Sequence, residues 1–308
     1  MERILGFDLI MISAMYENGG NVTHRLLDGH PELYVYPFES QLGNSLVADY
    51  LSSMFPFKYR WPEFTLSGTY EDDYELFYDE EMKVRIRTPH SSKFRDADIK
   101  LDESERKKTF ANMLENQPRT RAHIIAAFFR ATFDSWANLN KSGKERIYVG
   151  YSPIIVVDTE KILADFPSAH IIHVVRNPFS AYADTKRRPF PLSIRRYTMT
   201  WNLVQHIALT YAHRFPNNVH ILRYEDIISD PRLHLSSLLR KLNLSFSNSL
   251  LYPSWNGKRL DAVYPWGTIR ELTPEANMKA VDELSASERA EIRSLSTIML
   301  EALEYQPS

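Results

Sequence analysis

The chain has 308 residues, of which 44% are hydrophobic and 25% charged, values that exclude a disordered chain and suit one large α/β domain. The formal net charge of −2 gives no reason to expect nucleic acid as a partner. The chain has no cysteine, no secretory leader pattern and no apolar run near the roughly 20 residues that span a bilayer, so we expect a cytoplasmic protein without membrane contact.

The first predicted unit, residues 7–31, reads as a strand, a glycine loop and the start of a helix. Leu9–Ser13 is a continuous apolar run, as expected of a strand buried on both faces. Asn18-Gly19-Gly20-Asn21 follows, and glycine lets backbone N–H groups turn inward before the helical spacing that begins at Val22. These N–H groups and the helix dipole predict an anion site. The alternative is a turn that needs glycine for geometry alone. The loop is not a Walker A sequence, since no Gly-Lys-Ser/Thr follows it.

Further apolar strands alternate with helical stretches and predict a three-layer α/β domain with a central parallel sheet, spanning residues 1–308. The expected strands after the first are Arg146–Val149, His170–Val175 and Val219–Leu222, and Leu33–Tyr36 is a short extended run. The expected helices are Leu101–Leu114 (capped by Asp102 or Ser104), Arg121–Leu139, Arg195–Arg214 and Ser285–Leu303.

Residues 57–101 break this alternation. Aromatic and acidic residues are mixed there without a clear period, and the basic Lys83, Arg85 and Arg87 follow them. The composition predicts an insertion or a lid beside the site. A solvated irregular excursion is an equal alternative.

The strand that ends at Val175 is followed directly by Arg176, Asn177 and Pro178. Ligands of open α/β sheets bind outside the carboxyl ends of the strands, and proline is favoured in the first turn of a helix. The guanidinium of Arg176 therefore predicts a second anion contact, for which a phosphate is well suited. A surface arginine paired with a carboxylate is the alternative.

Four motifs, taken in chain order, resemble those of sulfotransferases that use 3′-phosphoadenosine 5′-phosphosulfate. They are Glu17–Asn21 running into Leu26-Leu27-Asp28-Gly29-His30-Pro31, then Val175–Pro178, then Tyr224-Glu225-Asp226 with Asp230-Pro231, and Asn256-Gly257-Lys258-Arg259 with Gly267. The resemblance implies a P-loop-kinase-like sulfotransferase fold. It also implies this nucleotide as donor, adenosine 3′,5′-bisphosphate as product, and a hydroxyl of a carbohydrate or small molecule as acceptor.

The same resemblance assigns roles to residues. The first loop and helix start (Asn18, Gly19, Gly20, Asn21 and Val22) would cradle the phosphosulfate. Arg176 and the position of Asp184 would hold the 3′-phosphate, and Lys258 and Arg259 would close over it. Glu39, shortly after the His-Pro turn, is the candidate general base, with capping or surface pairing as its alternative. Not from the resemblance but as compensation for the departures described next, His24, taken as a second catalytic residue, or Arg25 could supply charge from the first helix.

Two positions depart from the pattern of the family. Glu17 stands where a basic residue binds the sulfonate, and Asp184 stands where a serine binds the 3′-phosphate. Thr185, Lys186 or Arg187 would then replace that serine. The departures leave two alternatives open: another donor, for example an aryl sulfate, or a nucleotide-binding scaffold without chemistry.

No His/Asp cluster has ligand spacing, so no metal is expected. An acceptor site is expected among aromatic residues, namely Trp61, Tyr70, Tyr74, Phe77, Tyr78, Trp255 and Trp266.

Overall fold

A computed structural model describes residues 6–260 and 272–306. Its centre is a parallel five-stranded sheet with the strand order β2-β3-β1-β4-β5. Strand β1 therefore lies in the middle, and the loops after β1, β3 and β4 meet at one edge. The strands are β1 (Asp8–Ala14), β2 (Leu33–Val35), β3 (Ile147–Tyr151), β4 (His170–Val175) and β5 (Val219–Arg223).

Helices cover both faces of the sheet, which explains the continuous apolar strands. Leu9 and Met11 of β1 pack into one hydrophobic cluster, whereas Ile10 and Ile12 pack into a second cluster on the opposite face. The fold is thus three-layered, as predicted. The described helices are α1 (Gly20–Leu27), α2 (Tyr70–Leu76), α3 (Glu80–Arg87), α4 (Glu103–Leu114), α5 (Arg121–Asp134), α6 (Thr159–Asp165), α7 (Pro178–Thr185), α8 (Ile194–Arg214), α9 (Tyr224–Ser229), α10 (Pro231–Lys241), α11 (Pro274–Lys279) and α12 (Ala286–Ala302).

The predicted strands and long helices are present, with one clear difference in length. The helix expected over Arg121–Leu139 ends at Asp134. Beyond it the chain turns out to form an antiparallel bridge between Trp136 and Leu101, and Ala137 N–H donates to the Lys100 carbonyl at 2.8 Å. The apolar residues that follow Asp134 in the predicted helix therefore lie outside the helix. Among the described residues, no helix has both the length and the apolar character needed to cross a bilayer.

Candidate active site

A cavity of about 460 Å³ opens at the carboxyl edge of the sheet, within the range typical of small-molecule sites. Its walls come from the loop after β1, the ends of β3 and β4, and the segment 57–101, which supplies nine of its residues. The lining residues are Tyr16, Glu17, Asn18, Gly19, Gly20, Asn21, Val22, Glu39, Gln41, Lys58, Tyr59, Glu80, Glu81, Val84, Ser91, Ser92, Lys93, Phe94, Tyr151, Pro153, Arg176, Asp184, Arg188, Tyr224 and Asn277.

The glycine loop needs its glycines for packing as well as for backbone conformation. Gly19 has φ +89°, and a Cβ added there would lie 2.3 Å from Cδ2 of Tyr224. A Cβ on Gly20 would lie 2.7 Å from both Ala14 and Tyr151. Helix α1 begins at Gly20 without a side-chain cap, so its first N–H groups are left for a ligand. The loop therefore serves geometry and also presents donors to the cavity.

Asn18 fixes this loop to the rest of the site. Its side-chain oxygen accepts hydrogen bonds from Arg176 N–H at 3.0 Å and from the indole of Trp201 at 3.1 Å. Its amide nitrogen donates to the Tyr16 carbonyl and to the Tyr197 hydroxyl. The Asn18 side chain thus holds the loop against the end of β4 and is not itself a donor toward the cavity.

Arg176 lies at the end of β4, as predicted, but it is neutralised by a neighbour. Its Nη1 donates to the Asp184 carboxylate at 2.8 Å and to the Glu17 carbonyl at 2.9 Å. Its Nε donates to Asn277 Oδ1 at 2.8 Å, and its guanidinium lies 4.9 Å from the ring centre of Tyr224. The predicted phosphate ligand therefore lines the cavity as half of a buried ion pair.

The acidic residue in the donor loop is paired as well. Glu17 accepts hydrogen bonds from Arg188, with its Oε1 2.6 Å from the Arg188 Nε and also bonded to Nη2. Arg188 reaches the loop from the segment that follows α7. The unfavourable charge expected of Glu17 is thus offset by a cation that the sequence patterns did not single out.

Glu39 lies in the cavity wall beside a second carboxylate. Its backbone N–H donates to Glu81 Oε2 at 2.9 Å, and Gln41 donates to its side chain at 3.2 Å. Burial and the Glu81 charge together raise the pKa of Glu39 to about 7, against the opposing effects of Lys93, the Gln41 hydrogen bond and Lys58. A carboxylate with this pKa can accept a proton near neutral pH.

The charged side chains of the cavity form four ion pairs with one carboxylate left over. Each of the four cations lies next to one anion, and Glu39 is the only lining carboxylate without an ion pair among the described residues. The pairs are Arg176–Asp184, Arg188–Glu17, Lys58–Glu80 at 3.1 Å and Lys93–Glu81 at 2.5 Å. The lining residues that the structure describes therefore carry no net positive charge.

The structure does not bring His24 and Arg25 to the cavity. Both are 1% exposed within α1, where Arg25 contacts both ring nitrogens of His24 and lies 5.3 Å from the ring centre of Trp255. Burial, and then the charge of Arg25, holds the pKa of His24 well below its ordinary value, so this histidine is neutral. Their placement differs from the prediction because the helix turns this face into the core.

Lys258 and Arg259 are also away from the cavity lining. They form β7 (Lys258–Arg259) of a hairpin with β6 (Ser254–Trp255). The Lys258 side chain is 75% exposed and lies 3.9 Å from Asp98, while Arg259 lies over the ring of Tyr252. Neither residue lines the cavity, and their contact with the donor stays a prediction. Trp266 and Gly267 lie outside the described residues.

The aromatic residues expected around the acceptor are elsewhere. Trp61, Tyr74 and Phe77 are at most 1% exposed in the hydrophobic core, and Trp255 stacks on Phe38. Neither Tyr70 nor Tyr78 lines the cavity. The rings that do line it are Tyr16, Tyr59, Phe94, Tyr151 and Tyr224. Residue type alone did not distinguish a core ring from a cavity ring.

The residues suggested as substitutes at the second phosphate site do not line the cavity. Lys186 pairs with Glu288 at 2.9 Å, Arg187 pairs with Glu283 at 2.7 Å, and Thr185 donates to a helix carbonyl. The cavity residues that the sequence did not reveal include Glu81, Lys93 and Arg188. Glu81 and Lys93 lie in the aperiodic segment 57–101, and the nearest signal, the basic run, pointed instead to Arg85 and Arg87, which bind backbone carbonyls and exposed carboxylates.

Comparisons with known proteins agree with this geometry. The model of the sulfotransferase family matches residues 10–248. The sulfotransferase domain of the olefin synthase from Synechococcus PCC 7002 has a similar structure, with a TM-score of 0.57 and 17% identity over 97% of this chain and 95% of that one. The sulfotransferase domain from the curacin biosynthetic pathway has a TM-score of 0.57 and 16% identity over 100% of both chains. No curated protein matches.

Proposed function

Because the chain belongs to the sulfotransferase family, we propose that it moves a sulfuryl group from a nucleotide 5′-phosphosulfate to a hydroxyl group of a carbohydrate or small-molecule acceptor. The donor that the family resemblance implies is 3′-phosphoadenosine 5′-phosphosulfate. Both substrates would meet in the cavity at the carboxyl edge of the sheet. Glu39 would act as the general base.

The donor end of this proposal rests on the glycine loop. The first N–H groups of α1 and the positive end of its dipole favour a phosphosulfate oxygen at the loop. Gly19 and Gly20 leave no side chain between the backbone and the cavity. We therefore place the 5′-phosphosulfate against residues 18–22.

The observation that carries the proposal is Glu39. Sulfuryl transfer requires the acceptor oxygen to attack sulfur while its proton leaves, and a positioned base lowers that barrier. Glu39 is a cavity carboxylate without an ion pair among the described residues, and its pKa of about 7 matches a proton acceptor at neutral pH. The attack forms a new O–S bond, breaks the S–O bond to the 5′-phosphate, and leaves the proton on Glu39.

The test replaces Glu39 by glutamine, which keeps the shape of the side chain and removes the base. Turnover should fall by roughly 10²- to 10⁴-fold, while the nucleotide product binds with unchanged affinity. Transfer is measured with labelled donor and a panel of hydroxyl acceptors, and binding is measured by calorimetry. Glu71→Gln, at an exposed glutamate of α2, is the matched control and should behave like the parent protein.

Two results would contradict the proposal. If Glu39→Gln transfers sulfate as fast as the parent protein across the acceptor panel, Glu39 is not the base. If no 5′-phosphosulfate supports transfer but an aryl sulfate does, the donor class is wrong although the family assignment stands.

A further inference from the structure

The ion pair between Glu17 and Arg188 lies beside the loop that would hold the donor. Glu17 comes directly before residues 18–22, and its Oε1 accepts hydrogen bonds from Nε of Arg188 at 2.6 Å and from Nη2. Both side chains line the cavity, where the Glu17 side chain is 13% exposed and that of Arg188 is 53% exposed. A molecule in the cavity can therefore contact the guanidinium while the mostly buried carboxylate holds it.

Contacts of the backbone fix both members of this pair. The N–H of Arg188 donates to the Thr185 carbonyl at 3.1 Å, in the turn that follows α7. The Glu17 carbonyl accepts from Nη1 of Arg176 at 2.9 Å. Glu17 also has φ +59°, a conformation that is strained for a residue with a Cβ and that is found most often at active sites. The position of the Arg188 guanidinium is thus set by the loop as well as by the end of α7.

The guanidinium also lies close to the proposed general base. Burial, and then the Glu39 charge, raises the pKa of Tyr16 to about 12, and the charge of Arg188 opposes them. The ring centre of Tyr59 lies 6.1 Å from that of Tyr16, and the charges of Glu39 and Arg188 again act in opposite directions on its pKa, which burial raises. Because a charge acts strongly only over a short distance, Arg188 and Glu39 face the same part of the cavity.

Sulfuryl transfer creates new charge in that part of the cavity, between the loop and the base. The acceptor oxygen bonds to sulfur, the bond between sulfur and the bridging oxygen breaks, and the electron pair leaves on that oxygen with the nucleotide 5′-phosphate. Hydrogen-bond donors held where charge develops lower the barrier. A guanidinium has five N–H donors in a planar fork, so it can bind Glu17 and an oxygen of the phosphosulfate together.

We propose that Arg188 is a further catalytic residue, whose guanidinium donates to the oxygen that bridges sulfur and phosphorus and stabilises the charge that this oxygen gains. Glu17 is a positioning residue, because it holds that guanidinium beside the loop. The inference rests on the proposed function. The acceptor proton still goes to Glu39, and Arg188 stays protonated throughout. Residues 17–22 contain no lysine or arginine, so the acid at position 17 recruits a cation from the segment after α7.

The first test replaces Arg188 by methionine. Both kcat and kcat/KM should fall by roughly 10²- to 10³-fold, because the lost contact is strongest in the transition state, while the acceptor KM changes by less than about threefold. Arg214→Met is the matched control. The Arg214 side chain is 60% exposed and pairs with Glu160, but it does not line the cavity, so this variant should match the parent protein. Transfer is measured with labelled 3′-phosphoadenosine 5′-phosphosulfate, and urea denaturation checks that both variants are folded.

A second set of variants separates this role from simple neutralisation of Glu17. If Arg188 only neutralised that acid, Glu17→Gln would make the arginine dispensable, and the double variant Glu17→Gln with Arg188→Met would regain the parent kcat. We expect the double variant to stay as slow as Arg188→Met. Glu17→Gln alone should lower kcat by about tenfold, because the guanidinium is held less precisely.

The outcomes distinguish the inference from the proposed function. If folded Arg188→Met keeps the parent kcat, or if the double variant regains it, the role of Arg188 is overturned and the proposed function stands. If Glu17→Gln is as fast as the parent protein while Arg188→Met is slow, the positioning role of Glu17 is overturned and that of Arg188 is supported. If the parent protein itself transfers no sulfuryl group from a nucleotide phosphosulfate to any hydroxyl acceptor of the panel, the proposed function is overturned together with the inference.

Discussion

At the scale of single residues, the chemistry depends on how one carboxylate is kept basic. Glu39 is held beside Glu81, and burial and that neighbouring charge raise its pKa to about 7. Lys93 acts in the opposite direction, because its positive charge lowers the pKa of Glu39. Its amino group also pairs with Glu81 at 2.5 Å. The three residues therefore set the pH at which the base is ionised, and their effects can be separated by substitution.

Glu81→Gln removes the negative charge beside Glu39, so the pKa of Glu39 should fall. Since the base must be deprotonated to act, the acidic limb of the pH profile of kcat/KM should move to lower pH, by roughly one pH unit. Lys93→Met removes the neighbouring cation and should move the same limb to higher pH. The measurement is the rate of sulfuryl transfer between pH 5 and 9. A shift of both variants in the same direction would show that charge at these positions does not set the pKa.

At the scale of elements, the sequence predicted the strands and long helices that are buried in the core, but it did not predict the short helices beside the cavity. Strand β4 was placed correctly at His170–Val175, because a strand buried on both faces is apolar at every position. Helix α8 was also predicted within one residue at its start. The short helices α2 and α3 have no such signal, since each is only about two turns long. In addition, part of α3 lines the cavity and does not pack into the core.

The candidate site divides in the same way. Loop and strand-end residues were predictable because their positions follow from the order of the elements. The loop 18–22, Arg176 and Glu39 all line the cavity. Their partners could not be predicted from the sequence, namely Arg188, Glu81 and Lys93. Each comes from a stretch without a periodic pattern, and its role depends only on the residue that it contacts in the folded chain. The hairpin of β6 and β7 shows that a local motif is not enough. Lys258 matched the motif of the family, but it lies outside the cavity lining and near Asp98.

The glycine loop gives the prediction at this scale. Gly19→Ala introduces a Cβ at positive φ that also collides with Tyr224, so the free energy of unfolding should fall by about 2–5 kcal/mol and nucleotide binding should be lost. Gly143→Ala is the matched control, because Gly143 has φ +82° but nothing within 4 Å of the added Cβ. It should cost only the backbone term of about 1–2 kcal/mol and leave binding unchanged. Urea denaturation and calorimetry measure both. Equal losses for the two variants would show that packing against Tyr224 is unimportant.

At the scale of the whole molecule, the cavity has one wall from the sheet and one from the segment 57–101, so its shape depends on how the two are joined. Two buried ion pairs fix this segment, one to the end of β3 and the other to α4. Arg60 binds Asp158, which follows β3, through contacts of 2.7 Å, and Arg106 of α4 binds Asp79, directly before Glu80 and Glu81, at 2.9 Å. Each pair holds a stretch whose neighbours line the cavity: Lys58 and Tyr59 in one case, Glu80 and Glu81 in the other.

Removing the first connection tests this description. Arg60→Met leaves the Asp158 carboxylate, which is 3% exposed, without its arginine, so the free energy of unfolding should fall by about 3–5 kcal/mol. Arg87→Met is the control, since Arg87 is 40% exposed and its pairs with Glu75 and Glu103 should contribute about 0–1 kcal/mol. Urea denaturation measures both.

The double variant Arg60→Met with Asp158→Leu should recover part of the loss, because the uncompensated charge is gone. The acceptor KM should be higher than in the parent protein in both Arg60→Met and the double variant, because the stretch carrying Lys58 and Tyr59 is no longer fixed to the end of β3. An unaltered KM in a folded double variant would show that the cavity wall keeps its position without the Arg60–Asp158 pair.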